Sequence, residues 1–424
     1  MVIIPAMDTA TATATGEGRV GSRLVSPAAD HRARPSEASG REGGGKEPRV
    51  WEPSQGSHHN RIDVVDWLRG AAVVLMILAH GMDAWLLPAA RTGVAYAAIR
   101  VASGIPARLF LLLVGVSAAI QFEAGLARGT TSRAMRMRLV KRGLQVIVLA
   151  YLFRLQEWLL SHFYGGWETL FRIDILNAIA ACMLVVALVA TPRNGRRQIL
   201  PSLVLAGFFL GLGTVVGPAH FPTWLPRPLT SYVGGQRPMA WFSLFPWGAW
   251  AMAGVAIGHF WVAANRDASS LRRCFLLTFL TGAILTASVT IVRLIDPLII
   301  RYPTEVIRQM GPGIFLHRLG LIGMLAGGGF LWCRALRGRF SALRQFGRTS
   351  LLIYWVHIEL CYGSVVYALR GRFGIPAALV LVALLSLVML GLSVLKTRFA
   401  PPAALWLRDW GQPTQPRRPG TDNL

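Results

Sequence analysis

Residues 69–80, RGAAVVLMILAH, place an arginine and a histidine at the two ends of ten mostly apolar residues. Ionisable side chains inside such a run are costly in a membrane and usually mark a functional site. At 100° per residue, eleven positions make three helical turns plus about 20°, so Arg69 and His80 share one helix face about 16 Å apart along the axis. The segment therefore predicts a membrane helix with two polar groups on one side.

The composition predicts an all-α, polytopic membrane protein. Of the 424 residues, 53% are hydrophobic and 15% are charged, whereas about 25% of the residues in soluble chains are charged. Apolar runs long enough to cross a bilayer core of roughly 30 Å recur along the chain. We expect about ten transmembrane helices, near residues 64–87, 104–122, 140–160, 173–191, 199–217, 241–262, 272–293, 313–333, 350–369 and 375–395.

The distribution of basic residues predicts the orientation of these helices. The formal net charge is +24, but the arginines and lysines lie in short loops between apolar runs, where they normally report membrane orientation. The side that carries both termini holds 30 basic residues and the opposite side holds 12. This asymmetry predicts cytoplasmic termini in a bacterial-type inner or plasma membrane, surrounded by membrane lipids, and argues against nucleic acid as a partner.

Three regions follow from the composition along the chain. Residues 1–58 are rich in Gly, Ser, Ala, Thr, Pro and Arg and are expected to form a disordered cytoplasmic tail. Residues 59–398 form the transmembrane domain, and residues 399–424 form a cytoplasmic C-terminal tail. The four cysteines lie in or beside apolar runs without a CxxC pair, so they indicate neither a disulfide framework nor a metal site.

A second group of polar residues lies on the eighth and ninth predicted spans. The motif FLHRLG places His317 and Arg318 in the outer part of a span, while FGRTSLLIYWVH places Arg348 near the cytoplasmic edge and His357 deeper in the membrane. His357 is a candidate base, or a structural histidine bonded to a neighbouring helix. Arg348 is an ordinary cytoplasmic loop arginine unless an anionic ligand binds there.

Carboxylates form a third group on the outer side. Asp174 and Asn177 are one turn apart at the start of the fourth span, so they share a face and could bind an acceptor amine or hydroxyl; alternatively, Asp174 pairs with Arg154. Asp83, three residues after His80, could orient the imidazole ring or be a solvated loop carboxylate. The alternative for Arg69 itself is an ion pair with Asp66, one turn earlier.

Several of these motifs resemble one family of membrane enzymes. RIDVVDWLRGAAVVLMILAH and GIPARLFLLLVGVSAAIQFE, followed by RIDILNAIAACMLV, WFSLFPWGAWAMAGVAIGH and FGRTSLLIYWVH, occur in consistent order over about residues 60–370. They resemble the heparan-alpha-glucosaminide N-acetyltransferase catalytic-domain family, within a wider superfamily of transmembrane acyltransferases. The first and last motifs, taken together, are more specific for the family than the middle ones.

The resemblance implies transfer of an acyl group, acetyl above all, from cytoplasmic acyl-CoA to a sugar amine or hydroxyl across the membrane. Acyl-CoA is then a co-substrate, and no bound cofactor or metal is expected. Related acyltransferases carry an arginine, ten residues and a catalytic histidine in their first span, which here correspond to Arg69 and His80. Lysosomal members instead use a histidine in the following loop, which residues 81–104 lack, so His80 becomes the candidate.

The resulting hypothesis assigns a role to each group. Arg69 and Arg348 bind the phosphates of the donor, since guanidinium matches phosphate geometry. His80 either deprotonates the acceptor or is itself acylated in a relay, with Asp83 and His357 as further catalytic candidates. Asp174, Asn177, His317 and Arg318 are candidates for binding a sugar or glycan acceptor.

Two properties stay open at this point. The same buried polar residues are compatible with a transporter or flippase for a lipid or glycan that performs no acyl chemistry, although no internal repeat of the kind common in transporters is evident. The oligomeric state is also open, with a homodimer as one alternative.

Overall fold

The computed structural model of the chain describes residues 55–160, 166–189, 195–215, 224–234, 239–265, 267–295, 311–336 and 339–399. The predicted tails therefore lie outside the described residues, except that residues 55–58 already belong to the first helix and Phe399 ends the last one. The described residues are helical and contain no strand, apart from two isolated bridges between Leu86 and Phe373 and between Ile173 and Ala240.

Thirteen α-helices are present in the described part of the chain. In order, they are α1 Gln55–Trp85, α2 Gly93–Ser103, α3 Pro106–Ala127, α4 Ser132–Leu160, α5 Ile175–Val189, α6 Ile199–Val215, α7 Arg227–Gly234, α8 Leu244–Ala264, α9 Ala268–Ile295, α10 Pro312–Ala335, α11 Ala342–Arg348, α12 Ser350–Tyr362 and α13 Ile375–Phe399. Each of the ten predicted spans coincides with one of these helices. The short helices α2, α7 and α11 were not predicted.

Six helical stretches among the described residues are long and apolar enough to cross a membrane: Asp63–Trp85, Gly93–Ala127, Ser132–Leu160, Ala268–Val292, Pro312–Ala335 and Ile375–Phe399. Three more apolar helices, α5, α6 and α12, are shorter. Large apolar side chains are exposed on several helices, such as Leu203, Phe208, Leu280 and Leu387, and so broad an apolar exterior is unusual for a soluble monomer. The fold is that of a multi-pass helical membrane protein; the count of ten spans stays a prediction.

Local sequence explains where several of these helices begin. Proline occupies the first position of α3 and of α10, where its missing N–H costs no hydrogen bond. Asp267 accepts hydrogen bonds from the backbone N–H groups of Ser269 and Ser270 at the start of α9, and these bonds together with the serine hydroxyls hold the pKa of Asp267 below its ordinary value. Side-chain oxygens at this position stabilise a helix N-terminus.

Helix α1 lies at the centre of the bundle. It packs against α2, α3 and α9 through α13, and its residues Val64, Leu68, Val73 and Ile77 are buried. The closest approach is to α11, where two glycines remove the side chains that would separate the backbones. A Cβ at Gly70 would lie 1.7 Å from the carbonyl oxygen of Leu343, and a Cβ at Gly347 would lie 2.0 Å from that of Asp66.

A polar network attaches α11 to the last helix. The side-chain amide nitrogen of Gln345 donates to Ser393 Oγ and Thr397 Oγ1, both at 3.0 Å, and Thr349 bonds to the same serine hydroxyl at 2.5 Å. Gln345, Thr349 and Ser393 are buried, and buried polar groups stabilise a structure when they are fully paired. The network therefore holds α11 and the start of α12 beside α13.

Candidate active site

Helices α1 and α12 run in the same direction, with increasing residue numbers matched along both. Asp66 lies beside Gly347, His80 bonds to His357, and farther along Asp83 bonds to Tyr362. This order places Arg69 and Arg348 toward one end of the helix pair and the two histidines toward the other.

The two histidines that the sequence identified are in direct contact. His80 Nδ1 lies 2.9 Å from His357 Nε2, and the rings stack with centroids 5.1 Å apart and an interplanar angle of 12°. His357 is fully buried, whereas His80 is partly exposed. One interpretation of His357 was a structural histidine bonded to a neighbouring helix. That bond is present, and its partner is His80, the other candidate base.

The hydrogen bonds identify which nitrogen of His80 is free to accept a proton. His357 Nδ1 lies 2.7 Å from the carbonyl oxygen of Ile353; because a carbonyl only accepts, Nδ1 carries the hydrogen and donates it. Charge is costly in this apolar setting, which favours two neutral rings. Nε2 of His357 then accepts from Nδ1–H of His80, which leaves the lone pair on His80 Nε2 available.

Tyr362 holds the other side of the His80 ring. Its ring lies edge-on to that of His80, with centroids 5.8 Å apart, and its hydroxyl donates to Asp83 Oδ2 at 2.7 Å. The partner of the exposed Asp83 carboxylate in these bonds is Tyr362, and the orienting role of Asp83 at His80 stays a prediction. Tyr362 thus contacts both Asp83 and the ring of His80.

Tyr362 is a site residue that the sequence did not reveal. An aromatic residue near a helix end is typical of the membrane interface, so its type alone carries no functional signal. Its position five residues after His357 would have been informative only with knowledge that α1 lies alongside α12.

The two predicted donor-binding arginines lie near a shared carboxylate. Arg69 Nη1 donates to Asp66 Oδ1 at 2.7 Å, which is the ion pair weighed as its alternative role. The side chain is 7% exposed, yet its Nη2 has no hydrogen-bond partner among the described residues. Arg348 is exposed, and the charges of both arginines act on Asp66.

Asp174 and Asn177 belong to a separate cluster. There Asp174 forms ion pairs with arginines, which was the alternative to acceptor binding. The Asp174 carboxylate lies 3.1 Å from Arg154 Nη1 and 3.5 Å from Arg172 Nε. Asn177 is fully buried; its oxygen accepts from the Asp174 backbone N–H at 3.2 Å and its nitrogen donates to the Tyr232 hydroxyl at 2.9 Å. Their contact with an acceptor stays a prediction.

Tyr354 packs its ring edge-on against that of His357, with centroids 5.9 Å apart.

His317 and Arg318 lie partly buried on α10. Arg318 donates to the carbonyl oxygen of Val101, near the C-terminal end of α2, where a positive charge is favourable. Their acceptor-binding role stays a prediction. No group of three or more His, Cys, Asp or Glu side chains with metal-binding geometry occurs in the described ranges.

A bundle of apolar helices with two bonded histidines on α1 and α12 defines a membrane protein with a candidate active site between these two helices. Residues 61–288, more than half of the chain, match the family model described as heparan-alpha-glucosaminide N-acetyltransferase, catalytic. The chain belongs to this family of membrane acetyltransferases. No curated protein is similar enough to be matched to it. Arg69 and His80 lie inside the matched range, and Arg348 and His357 lie beyond it.

Proposed function

We propose that this protein transfers an acyl group, acetyl above all, from cytoplasmic acyl-CoA to a sugar amine or hydroxyl at the outer side of the membrane. The observation that carries the proposal is the bond between His80 of α1 and His357 of α12, with Arg69 three turns earlier on α1 and Arg348 at the end of α11. Family membership supports the reaction type, and the distribution of basic residues supports the orientation.

The arginine end is suited to the phosphates of the donor. Arg69 keeps one guanidinium nitrogen without a partner among the described residues, and Arg348 adds an exposed second charge. Guanidinium groups bind phosphate oxygens through paired, charge-assisted hydrogen bonds. The rise of about 16 Å from Arg69 to His80 allows an extended pantetheine arm to bring the thioester to the imidazole.

The free Nε2 of His80 is positioned for general base catalysis. It takes a proton from the acceptor N–H or O–H as that atom attacks the thioester carbonyl carbon; the carbon–sulfur bond breaks, and the CoA thiolate leaves and is protonated. In the two-step alternative, Nε2 itself attacks the carbonyl and the acyl group then passes from His80 to the acceptor. In both routes, His357 fixes the ring by accepting from Nδ1–H.

The test uses the full chain purified in detergent with acetyl-labelled acetyl-CoA and amino-sugar or sugar acceptors. His80→Ala should lower acyl transfer by about 10²- to 10⁴-fold, the usual contribution of a general base. His259→Gln is the control, because His259 is also a buried histidine but pairs with Glu123 at 3.1 Å, away from this site.

A folded His80→Ala protein with full acyl transfer would refute the catalytic role. Movement of a lipid or glycan across liposome membranes without any acyl transfer would favour the transporter alternative.

A further inference from the structure

Helix α4 exposes a line of residues along one side, here called the α4 arc. At 100° per residue, these residues fall within about 100° around the helix, counted from Arg133. At the start of the α4 arc lie two exposed basic residues, Arg133 and Lys141. The other members are large apolar side chains that are 40% to 58% exposed: Met137, Leu144, Val148, Leu152, Leu155 and Leu159.

The opposite side of α4 packs against the protein. Met135, Leu139, Val146 and Ala150 are buried and project at about 200° to 260° from Arg133. Helix α4 packs against α5, and a Cβ at Gly143 would lie 3.0 Å from Leu184 Cδ2 of that helix. In a multi-pass membrane protein, a long apolar surface on the side away from the bundle faces lipid. The α4 arc is therefore a lipid-facing surface with two basic residues at one end.

The positive charge at this end of α4 is not compensated. Residues 128–142 contain six arginines and lysines and no acidic residue. Within the described ranges, no Asp or Glu forms an ion pair with Arg133, Arg138 or Lys141. Arg133 and Lys141 are about 12 Å apart along the axis, and Leu144 follows Lys141 after about 4.5 Å. The charged and apolar parts of the α4 arc thus form one continuous surface.

This arrangement differs from that of basic residues which only set the orientation of a membrane protein. Such residues lie in the loops beside the membrane helices, whereas Arg133 and Lys141 lie within α4 and in line with its lipid-facing leucines. Clusters of about four to eight basic residues at the cytoplasmic end of a membrane helix are typical of sites for anionic lipids. The basic residue count predicts that this end of α4 faces the cytoplasm.

We propose that Arg133 and Lys141 bind the headgroup phosphate of an anionic phospholipid whose acyl chains lie along the apolar part of the α4 arc. Guanidinium and ammonium groups form charge-assisted hydrogen bonds with phosphate oxygens, and the uncompensated charge favours a headgroup with net negative charge. A second copy of the chain, related by a twofold axis along the membrane normal, would place the same basic residues against each other, which is unfavourable. The lipid site does not depend on the proposed acyl transfer.

The experiment compares phosphatidylglycerol with phosphatidylcholine of the same acyl chains. Native mass spectrometry of the full chain in detergent measures the affinity for each lipid. Wild type should prefer phosphatidylglycerol. The double variant Arg133→Gln with Lys141→Gln should bind phosphatidylglycerol about 25-fold more weakly, about 5-fold for each basic residue near an anionic headgroup. Its affinity for phosphatidylcholine should not change, which shows that the variant is folded.

The matched control removes two other positive charges. Arg227→Gln with Arg372→Gln changes two exposed arginines on the opposite side in the predicted topology, and it should keep the preference. Equal affinity of wild type for the two lipids, an unchanged preference in the α4 double variant, or an equal loss in the control would overturn the proposal. So would dimers that dissociate in the α4 double variant, which would make a second copy the occupant. Glycerol phosphate, which lacks the acyl chains, should bind more weakly than phosphatidylglycerol; equal affinity would make a free phosphate the ligand.

Discussion

Two consecutive hydrogen bonds determine which ring nitrogen of His80 is left without a hydrogen. The Ile353 carbonyl fixes the hydrogen on His357 Nδ1, which leaves His357 Nε2 to accept from His80 Nδ1. Two buried or half-buried imidazoles joined in this way constrain each other's tautomer, as second residues commonly do for catalytic histidines. A backbone carbonyl on α12 thus determines which atom on α1 can serve as a base.

The contact between Asp83 and Tyr362 leads to a prediction about catalysis. Tyr362→Phe keeps the ring beside His80 but removes the hydroxyl that bonds to Asp83; Asp83→Asn weakens the same bond from the other side. Each variant should lower kcat by about 2- to 10-fold, as expected for one lost hydrogen bond of about 0.5–1.5 kcal/mol. The KM for acyl-CoA should not change.

The double variant separates a shared role from two independent roles. If both residues act through one bond, Tyr362→Phe with Asp83→Asn should be no slower than the slower single variant, because coupled residues are not additive. Multiplied losses of kcat in the double variant would show that Asp83 does not act through Tyr362.

At the level of single residues, the sequence predicted what lies along one helix. The eleven-residue spacing put Arg69 and His80 on the same face of one helix, and both lie in α1. It did not predict that Asp83 bonds to Tyr362, 279 positions away, because the partner of a side chain depends on which helices are neighbours. Spacing along the chain contains no such information.

Among the helices, the packing of α1 against α11 decides the arrangement of the arginine end. The backbones touch at Gly70 and Gly347, as small residues allow in membrane helix pairs. This contact brings Arg348, at the end of α11, toward Asp66 and Arg69. A short helix that the hydropathy pattern did not predict therefore positions a candidate donor-binding residue.

We predict that Gly70→Ala destabilises this helix pair. The new Cβ would lie 1.7 Å from a backbone oxygen of α11, so the backbones must separate, and overpacking of this kind costs about 1–3 kcal/mol. The melting temperature in detergent should fall, and the KM for acyl-CoA should rise. Gly207→Ala in α6 is the control, because a Cβ there meets nothing within 4 Å; equal melting temperatures for both variants would contradict the close contact.

The boundaries of the helices were predicted less well than their existence. The predicted first span, 64–87, corresponds to a helix that begins at Gln55, and the predicted ninth span, 350–369, ends as an α-helix at Tyr362. Hydropathy follows apolar composition, whereas a helix ends where capping and packing stop it. At Thr349, between α11 and α12, the backbone leaves the helical conformation.

For the whole molecule, the distribution of basic residues predicts which loops face the cytoplasm. Ala89 and Thr131 are both exposed, and the predicted topology places them on opposite sides of the membrane. In a variant without the four native cysteines, all of which are buried, Ala89→Cys should react with a membrane-impermeant maleimide in intact cells. Thr131→Cys should react only after permeabilisation. The reverse labelling pattern would invert the topology and exclude a cytoplasmic donor at Arg69.

By itself, the sequence determined the helical membrane class, the family and the common face of Arg69 and His80, because hydropathy, motif order and helical periodicity are properties of consecutive residues. Only the tertiary structure decided that His357 is the partner of His80 and that Asp83 bonds to Tyr362 beside the His80 ring. These relations join residues more than 270 positions apart. They exist because glycine contacts and buried polar bonds select which helices lie side by side.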